Sequence, residues 1–230
     1  MLLFPAAPQI TVAVAGEDGL YPVCRVFCVG RNYAAHAAEM GVEVDREAPF
    51  YFTKSALAVR PSGVTVAYPP GTSNYHHEME LVVAIGAPAF RVSEVEAMAA
   101  VFGYACGLDM TRRDLQLEAR SRQRPWDLGK DFEESAILGP LTRRESFGEI
   151  ENQRLTLTVD GVIRQQALLS DLVWSVPELV ADLSRFYHLE PGDLIFTGTP
   201  AGVGAVTPGS VLHGEIEGLE PVDLTVGGPA

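Results

Sequence analysis

Apolar residues recur at two spacings along this chain, and the two-residue spacing of strands dominates. QITVAVAG (residues 9–16) alternates and stops at the turn GEDG, which predicts one short strand within an N-terminal arm of residues 1–20. The remaining residues, 21–230, read as a single catalytic domain. VCRVFCVG (23–30) is an apolar, β-rich run ended by Gly30, and RNYAAHAAEMG (31–41) carries the alanines of a short helix with a closing glycine, Gly41. FYFTKSALAV (50–59) predicts strand, with a turn at Pro61 and Gly63, and YPPGTSNY (68–75) predicts a loop. HHEMELVVAIG (76–86) alternates first and is then apolar throughout, as a strand passing from a site edge into a core.

SEVEAMAAVFGYACGLD (93–109) opens on an N-cap candidate, Ser93, and predicts a helix leading to a strand that ends at Asp109. TRRDLQLEARSRQ (111–123) predicts a polar helix, and RPWDLGKDFEESAILGP (124–140), broken by Gly and Pro, a loop. The last third is mostly β. LTLTVDGVIRQQ (155–166) is a hairpin turning at Asp160-Gly161, and SVPELVADLSRFYHLE (175–190) is an amphipathic helix starting near Pro177. PGDLIFTGTPAGVG (191–204) is a strand that breaks into a Gly-rich loop, and SVLHGEIEG and PVDLTVGG close the chain as strands. Many short strands with few helices predict an α+β fold that is predominantly β.

Charge narrows the range of partners. The 230 residues carry 30 acidic and 17 basic side chains, a formal net charge of −13, so nucleic acid and anionic membrane surfaces are poor partners. A small anion held by a few placed cations is still compatible with that balance. MLLFPAAPQI has neither the basic start nor the apolar run of a signal peptide, and no stretch approaches the ~20 apolar residues that span a bilayer, which implies a cytoplasmic protein. Cys24, Cys28 and Cys106 form no CxxC pair and read as buried free thiols.

Candidate chemistry gathers at a few polar residues inside apolar surroundings. Glu78 and Glu80 sit at i and i+2 of a predicted strand, on one face and about 7 Å apart. They are either an exposed edge or a pair of oxygen ligands for a hard cation such as Mg²⁺ or Mn²⁺, with His76 and His77 as further ligand candidates. Asp109 ends a buried strand and is either a third ligand or the N-cap of the next helix. His36 and Glu39 stand at i and i+3, as a surface pair or as a carboxylate that orients an imidazole base. Lys130 is one of only two lysines, the other being Lys54. Arg112, Arg113 and Gln116 project from one short helix, where a guanidinium can grip a carboxylate. Thr197-Gly198-Thr199-Pro200 offers backbone N–H groups but lacks the lysine and glycine order of a nucleotide loop. There is no GxSxG elbow.

Taken in order, VGRNYAAHAAEMG, FYFTKS, HHEMELVVAIG, YACGLDMTRRDLQ, PWDLGKDF and GDLIFTGTPAGVG resemble the fumarylacetoacetate hydrolase family, and its short single-domain fumarylpyruvate hydrolase and acylpyruvase members in particular. The resemblance spans about Val23 to Gly204. It implies layered, mixed β-sheets and a homodimer. It implies that Glu78, Glu80 and Asp109 hold one Mg²⁺ or Mn²⁺ per subunit. His36 and Glu39 become a water-activating dyad on a segment that closes over bound substrate. Lys130 becomes the partner of the substrate's 2-oxo acid end, and Arg31, Arg113, Gln116 and Thr199 become substrate contacts. Where relatives often have Lys-Pro this chain has Lys54-Ser55, which leaves the role of Lys54 open.

The activity so implied is metal-dependent hydrolysis of the C–C bond of a 2,4-dioxo acid, an acylpyruvate. The N-terminal arm favours fumarylpyruvate, cut to fumarate and pyruvate in the gentisate branch of aromatic catabolism. Oxaloacetate decarboxylation, or isomerisation and decarboxylation of a dioate, uses the same metal-enolate site and is the alternative. A binding protein with an inactive site is the third reading, and it sits poorly with a complete set of acids and an intact dyad. All three depend on Glu78, Glu80 and Asp109 converging without a positively charged side chain filling the space among them.

Overall fold

The computed structural model describes residues 2–39, 41 and 46–230. Two mixed sheets carry most of the chain. Across the larger run Phe50–Lys54, Val26–Gly30, Leu194–Phe196, Met79–Ile85, Val101–Asp109, Ala136–Leu138 and Val59–Pro61. Leu194–Phe196 is parallel to Val26–Gly30 and antiparallel to Met79–Ile85. Across the smaller run Val162–Leu168, Arg154–Val159, Val211–Ile216, Val222–Pro229 and Val64–Tyr68, the last two parallel. The expected predominantly β architecture of layered mixed sheets with few short helices is what forms.

Strand alternation makes the layers. Leu81, Val83, Cys106 and Leu108 of the two central strands share one core with Leu155, Leu157, Leu212 and Leu224 of the smaller sheet. The intervening Val82, Ala84 and Ala105 face the other way and share a second core with Cys28, Phe196, Val12, Val14 and Tyr21. Met79–Ile85 is therefore buried along its whole length, which is why its sequence is a continuous apolar run. Near the N-terminus Thr11–Ala13 pairs with Leu20–Pro22, and Val14 bridges to Leu141.

Local chemistry sets the other elements. Ser93 caps Glu94–Ala97 as expected: its hydroxyl accepts from Glu96 N–H at 3.4 Å while the Glu96 carboxylate accepts from Ser93 N–H at 2.9 Å. Asp160-Gly161 turns the hairpin, with both residues at positive φ. One segment and one cysteine differ from expectation. Asp127–Lys130, expected as loop, is one helical turn, too short for periodicity to register. Its Gly129, which reads as a breaker, instead lets the turn approach Gln116 so closely that a Cβ would lie 2.8 Å from the Gln116 backbone nitrogen. Cys24 is exposed, whereas Cys28 and Cys106 are buried as expected and burial pushes the Cys106 thiol up to about 12. Among the described residues, no helix is long and apolar enough to cross a membrane.

The register between the central strands places the site. Met79 pairs with Leu108 and Glu80 with Gly107. A Cβ at Gly107 would meet Val82 Cγ2 at 2.5 Å and Phe196 Cε1 at 2.9 Å, both fully buried. Gly107→Ala is expected to lower stability by roughly 1–3 kcal/mol through overpacking. Urea unfolding checks this, as a lowered midpoint at unchanged slope.

Candidate metal centre and active site

Glu78 and Glu80 flank Met79 at the mouth of the central strand, so the pleat turns both side chains to one face. The register sets Asp109 beside them, with Asp109 N–H donating to the Glu78 carbonyl at 2.8 Å. All three acids are buried, at 5, 2 and 0 % exposure, and each contributes an oxygen to a group whose members lie within 4.8 Å of one another. Burial removes the exposed-edge reading of the glutamates. The N-cap reading of Asp109 fails too, because the next helix, Arg113–Ser121, starts beyond it with Arg112 at the cap.

Three carboxylates this close inside a protein repel one another and need counter-charge. Lys130 Nζ stands 2.6 Å from Glu78 Oε2 and 2.6 Å from Asp109 Oδ2. Arg113 pairs with Glu78 Oε1, and Lys54 Nζ lies 2.8 Å from Asp109 Oδ1. The positively charged side chain that the sequence reading wished absent is thus present, but it bonds two of the acids and leaves the third alone. Burial works against charge on Glu78, and Lys130 and Arg113 nevertheless hold its carboxyl well below the usual range. Glu80 differs. It accepts only Gly198 N–H, at 2.7 Å, and burial followed by the charges of Asp109 and Glu78 pushes its carboxyl well above the usual range. Asp109 Oδ1, fully enclosed, takes part in no hydrogen bond, since Lys54 approaches it off the hydrogen-bond direction.

An under-compensated Glu80 beside an unsatisfied Asp109 oxygen fits a divalent cation. All the donors are hard carboxylate oxygens, the set that Mg²⁺ and Mn²⁺ prefer. His76 and His77 are not in the group. His76 Nε2 lies 2.8 Å from Asn74 Oδ1 and its Nδ1 takes a long contact from Arg113, while His77 Nδ1 lies 3.2 Å from Gln165 Oε1.

The dyad forms as expected: His36 Nδ1 lies 3.3 Å from Glu39 Oε2. Glu39 also accepts Gly202 N–H, at 3.2 and 3.3 Å, which ties the helix Ala34–Glu39 to the Gly-rich loop. Burial holds the His36 imidazole below its ordinary value, against the opposing pull of Glu78 and Glu39. The continuation of the expected closing segment, Met40 and 42–45, falls outside the described residues.

His36, Glu78, Glu80, Arg113, Lys130 and Thr199 line one cavity of about 30 Å³, close to the share of a single water. Gln116, Arg31 and Arg120 complete its wall, and past Arg31 and Arg120 lies a second cavity of about 590 Å³. Gln116 Oε1 accepts from Arg113 Nη1 at 2.5 Å, and Thr199 Oγ1 donates to the Met79 carbonyl at 2.8 Å. In this arrangement Lys130, expected against substrate, is a counter-ion of the acids.

Three supporting residues escaped the sequence reading. Lys54, left open there, is buried and donates to Ser135 Oγ at 2.9 Å and to the Met110 carbonyl at 3.2 Å, fixing the strand end that presents Asp109. Gln165 accepts Met79 N–H at 3.0 Å and donates to Thr199 Oγ1 at 2.8 Å, joining the hairpin to the acid strand and the loop. Asn32 donates to the Thr197 and Trp174 carbonyls, at 2.8 and 2.9 Å, and pins the turn that leads into the dyad helix. No local pattern marks any of them, because every partner is remote in sequence.

The comparisons with known proteins agree with this geometry. The model of the fumarylacetoacetate (FAA) hydrolase C-terminal family matches residues 25–227. The chain is 54% identical over 190 residues to a fumarylpyruvate hydrolase of Ralstonia sp, covering 82% of this chain and 98% of that protein. It is 39% identical to the mitochondrial oxaloacetate tautomerase FAHD1 of Bos taurus, covering 89% and 92%. A crystal structure of the fumarylpyruvate hydrolase of Pseudomonas aeruginosa, in complex with Mn²⁺ and pyruvate, superposes with a TM-score of 0.95 at 48% identity, covering 99% of each chain. With the family model matched over residues 25–227 and the fold shared over almost its whole length, the chain belongs to the fumarylacetoacetate hydrolase family.

Proposed function

We propose that this chain is a Mg²⁺- or Mn²⁺-dependent hydrolase that cleaves a 2,4-dioxo acid, with fumarylpyruvate as its substrate and fumarate and pyruvate as products. The observation that carries the reading is that Glu78 and Glu80, two members of a buried three-carboxylate group completed by Asp109, line the same small cavity as the His36 imidazole. The relatives supply the substrate: the match is stronger to a fumarylpyruvate hydrolase, at 54%, than to the oxaloacetate tautomerases, at 38–41%.

Glu78, Glu80 and Asp109 would hold the ion. When bound, it offers a 2-oxo carboxylate a chelating site and draws off negative charge that develops there. The chain's own residues do the rest. Three cationic side chains face three carboxylates, so the site is formally neutral before any ion enters and carries two positive charges afterwards, which suits a dianion. Arg113, Gln116, Arg31 and Thr199 orient the acid from the cavity wall.

Glu39 accepts a hydrogen bond from His36 Nδ1–H, which leaves Nε2 as the basic nitrogen. His36 takes a proton from water, and the hydroxide adds to the C4 carbonyl carbon. The C3–C4 bond then breaks. Its electron pair moves onto C3 and the 2-oxo oxygen as pyruvate enolate, and C4 leaves as the second carboxylic acid. Lys130, fixed between Glu78 and Asp109, places an ammonium beside that developing charge, and a proton delivered to C3 completes pyruvate.

In this reading residues 1–20 are an arm on a catalytic domain of 21–230, in a cytoplasmic homodimer with a place in aromatic catabolism. Sedimentation at twice the chain mass is the expected result for the assembly. Burial sets the pH dependence. His36 works in its neutral form, and its lowered pKa keeps that form populated below the ordinary imidazole value of ~6.5. The acid limb of kcat is expected below pH ~6.5 and is lost in His36→Ala. Assaying fumarylpyruvate, acetylpyruvate and oxaloacetate side by side with each metal tests the function. The account expects the highest kcat/KM on fumarylpyruvate, and a preference for oxaloacetate contradicts it.

A further inference from the structure

Beyond the acids and their counter-ions, the site holds a pair of arginines with no carboxylate partner among the described residues. Arg31 and Arg120 line both the small cavity and the 590 Å³ cavity beyond it, so they stand where one opens into the other. Both are half-buried, and neither guanidinium has a hydrogen bond or an ion pair with any described residue. Elsewhere in the chain, Arg25, Arg60, Arg113 and Arg143 each meet a carboxylate. Here two guanidiniums line the same pair of cavities instead. Burial and the charge of Arg120 both press the Arg31 guanidinium below its ordinary value, which places the two within electrostatic reach.

Two further features fix the surroundings of the pair. Arg31 holds its backbone at φ 61°, a left-handed conformation that a long side chain adopts only where its surroundings impose it. Buried Asn32, with its three hydrogen bonds, imposes it. Gly30, Phe52, Trp126 and Lys130 line both cavities as well, and Phe50 of the outer one lies under Arg31. Of the acids, Asp127 alone among the described residues lines the outer cavity, and it is exposed. Desolvated like charges without a partner are costly, and a carboxylate between two guanidinium forks relieves that cost.

We propose that Arg31 and Arg120 form a subsite for a carboxylate at the far end of the acyl chain, so that the enzyme selects 2,4-dioxo acids with an acidic tail over those with a neutral one. The inference rests on the proposed hydrolase function and adds its specificity. The head of the substrate, bound against the acids, sends its acyl chain out past Arg31 and Arg120 into the larger cavity. A rigid, trans-unsaturated chain cannot fold back, so its terminal carboxylate emerges between the two arginines. Exposed Arg124, on the rim of the outer cavity, adds attraction without a fixed contact.

The test compares fumarylpyruvate with acetylpyruvate, which lacks the tail carboxylate, in wild type, Arg120→Ala and Arg31→Asn. Asn is chosen because it tolerates the left-handed backbone. The expected result is a fall of about 10- to 100-fold in the ratio of kcat/KM for fumarylpyruvate to that for acetylpyruvate, chiefly through KM. A ratio within threefold of wild type in both variants overturns the subsite, even if both activities fall together, while leaving the hydrolase reading intact. Wild-type protein that cleaves neither substrate overturns the function and the subsite with it.

Discussion

Glu80→Gln lowers fumarylpyruvate turnover by about 10³-fold, the several kcal/mol that a correctly held cation contributes. The same substitution leaves the metal-free protein at least as stable as wild type. The reason lies in the acid's surroundings. Glu80 is buried, has no cationic partner and already carries a carboxyl pushed well above the usual range by burial and by Asp109 and Glu78. A neutral amide of the same shape keeps the acceptor for Gly198 N–H and relieves the repulsion. Thermal unfolding with and without Mn²⁺ checks both halves. Wild type gains a metal-dependent rise in melting temperature, and the variant starts no lower and gains none. A variant that loses stability without metal and still binds it normally contradicts the assignment.

His36→Ala separates the base from the acids. Loss of a general base costs about 10²–10⁴-fold in kcat. His36 is absent from the carboxylate group, so Mn²⁺ affinity is expected to stay within a few-fold of wild type. Glu39→Ala moves turnover in the same direction, because His36 then loses the acceptor that fixes its tautomer and the loop loses the tie to Gly202 N–H. Steady-state kinetics beside a metal titration reads both. Wild-type rates in both variants rule out the dyad as the source of hydroxide.

The sequence carried the frame well where chemistry is local. Alternation at Met79–Ile85, the Ser93 cap and the Asp160-Gly161 turn each depend on neighbours within a few residues, and each formed as read. The three acids were legible because carboxylates inside apolar runs are costly unless something holds them there. The counter-charges were not. Whether Lys130 meets substrate or acid depends on a helical turn that packs only because Gly129 has no side chain against Gln116. Lys54 and Gln165 reach their partners across 56 and 86 residues, which no window along the chain can show. Gln165 is the harder case. It is the one buried residue of the hairpin strand Val162–Leu168, and a register shift near Leu157 and Thr158 accompanies its turn inward.

The central claim is that turnover needs a divalent cation held by Glu78, Glu80 and Asp109. Its most direct test is the rate of fumarylpyruvate cleavage by protein stripped with chelator and then titrated with Mn²⁺. The account predicts loss of activity on stripping and recovery that saturates near one ion per chain, with pyruvate and fumarate released in equal amounts. Full turnover by the stripped protein contradicts it.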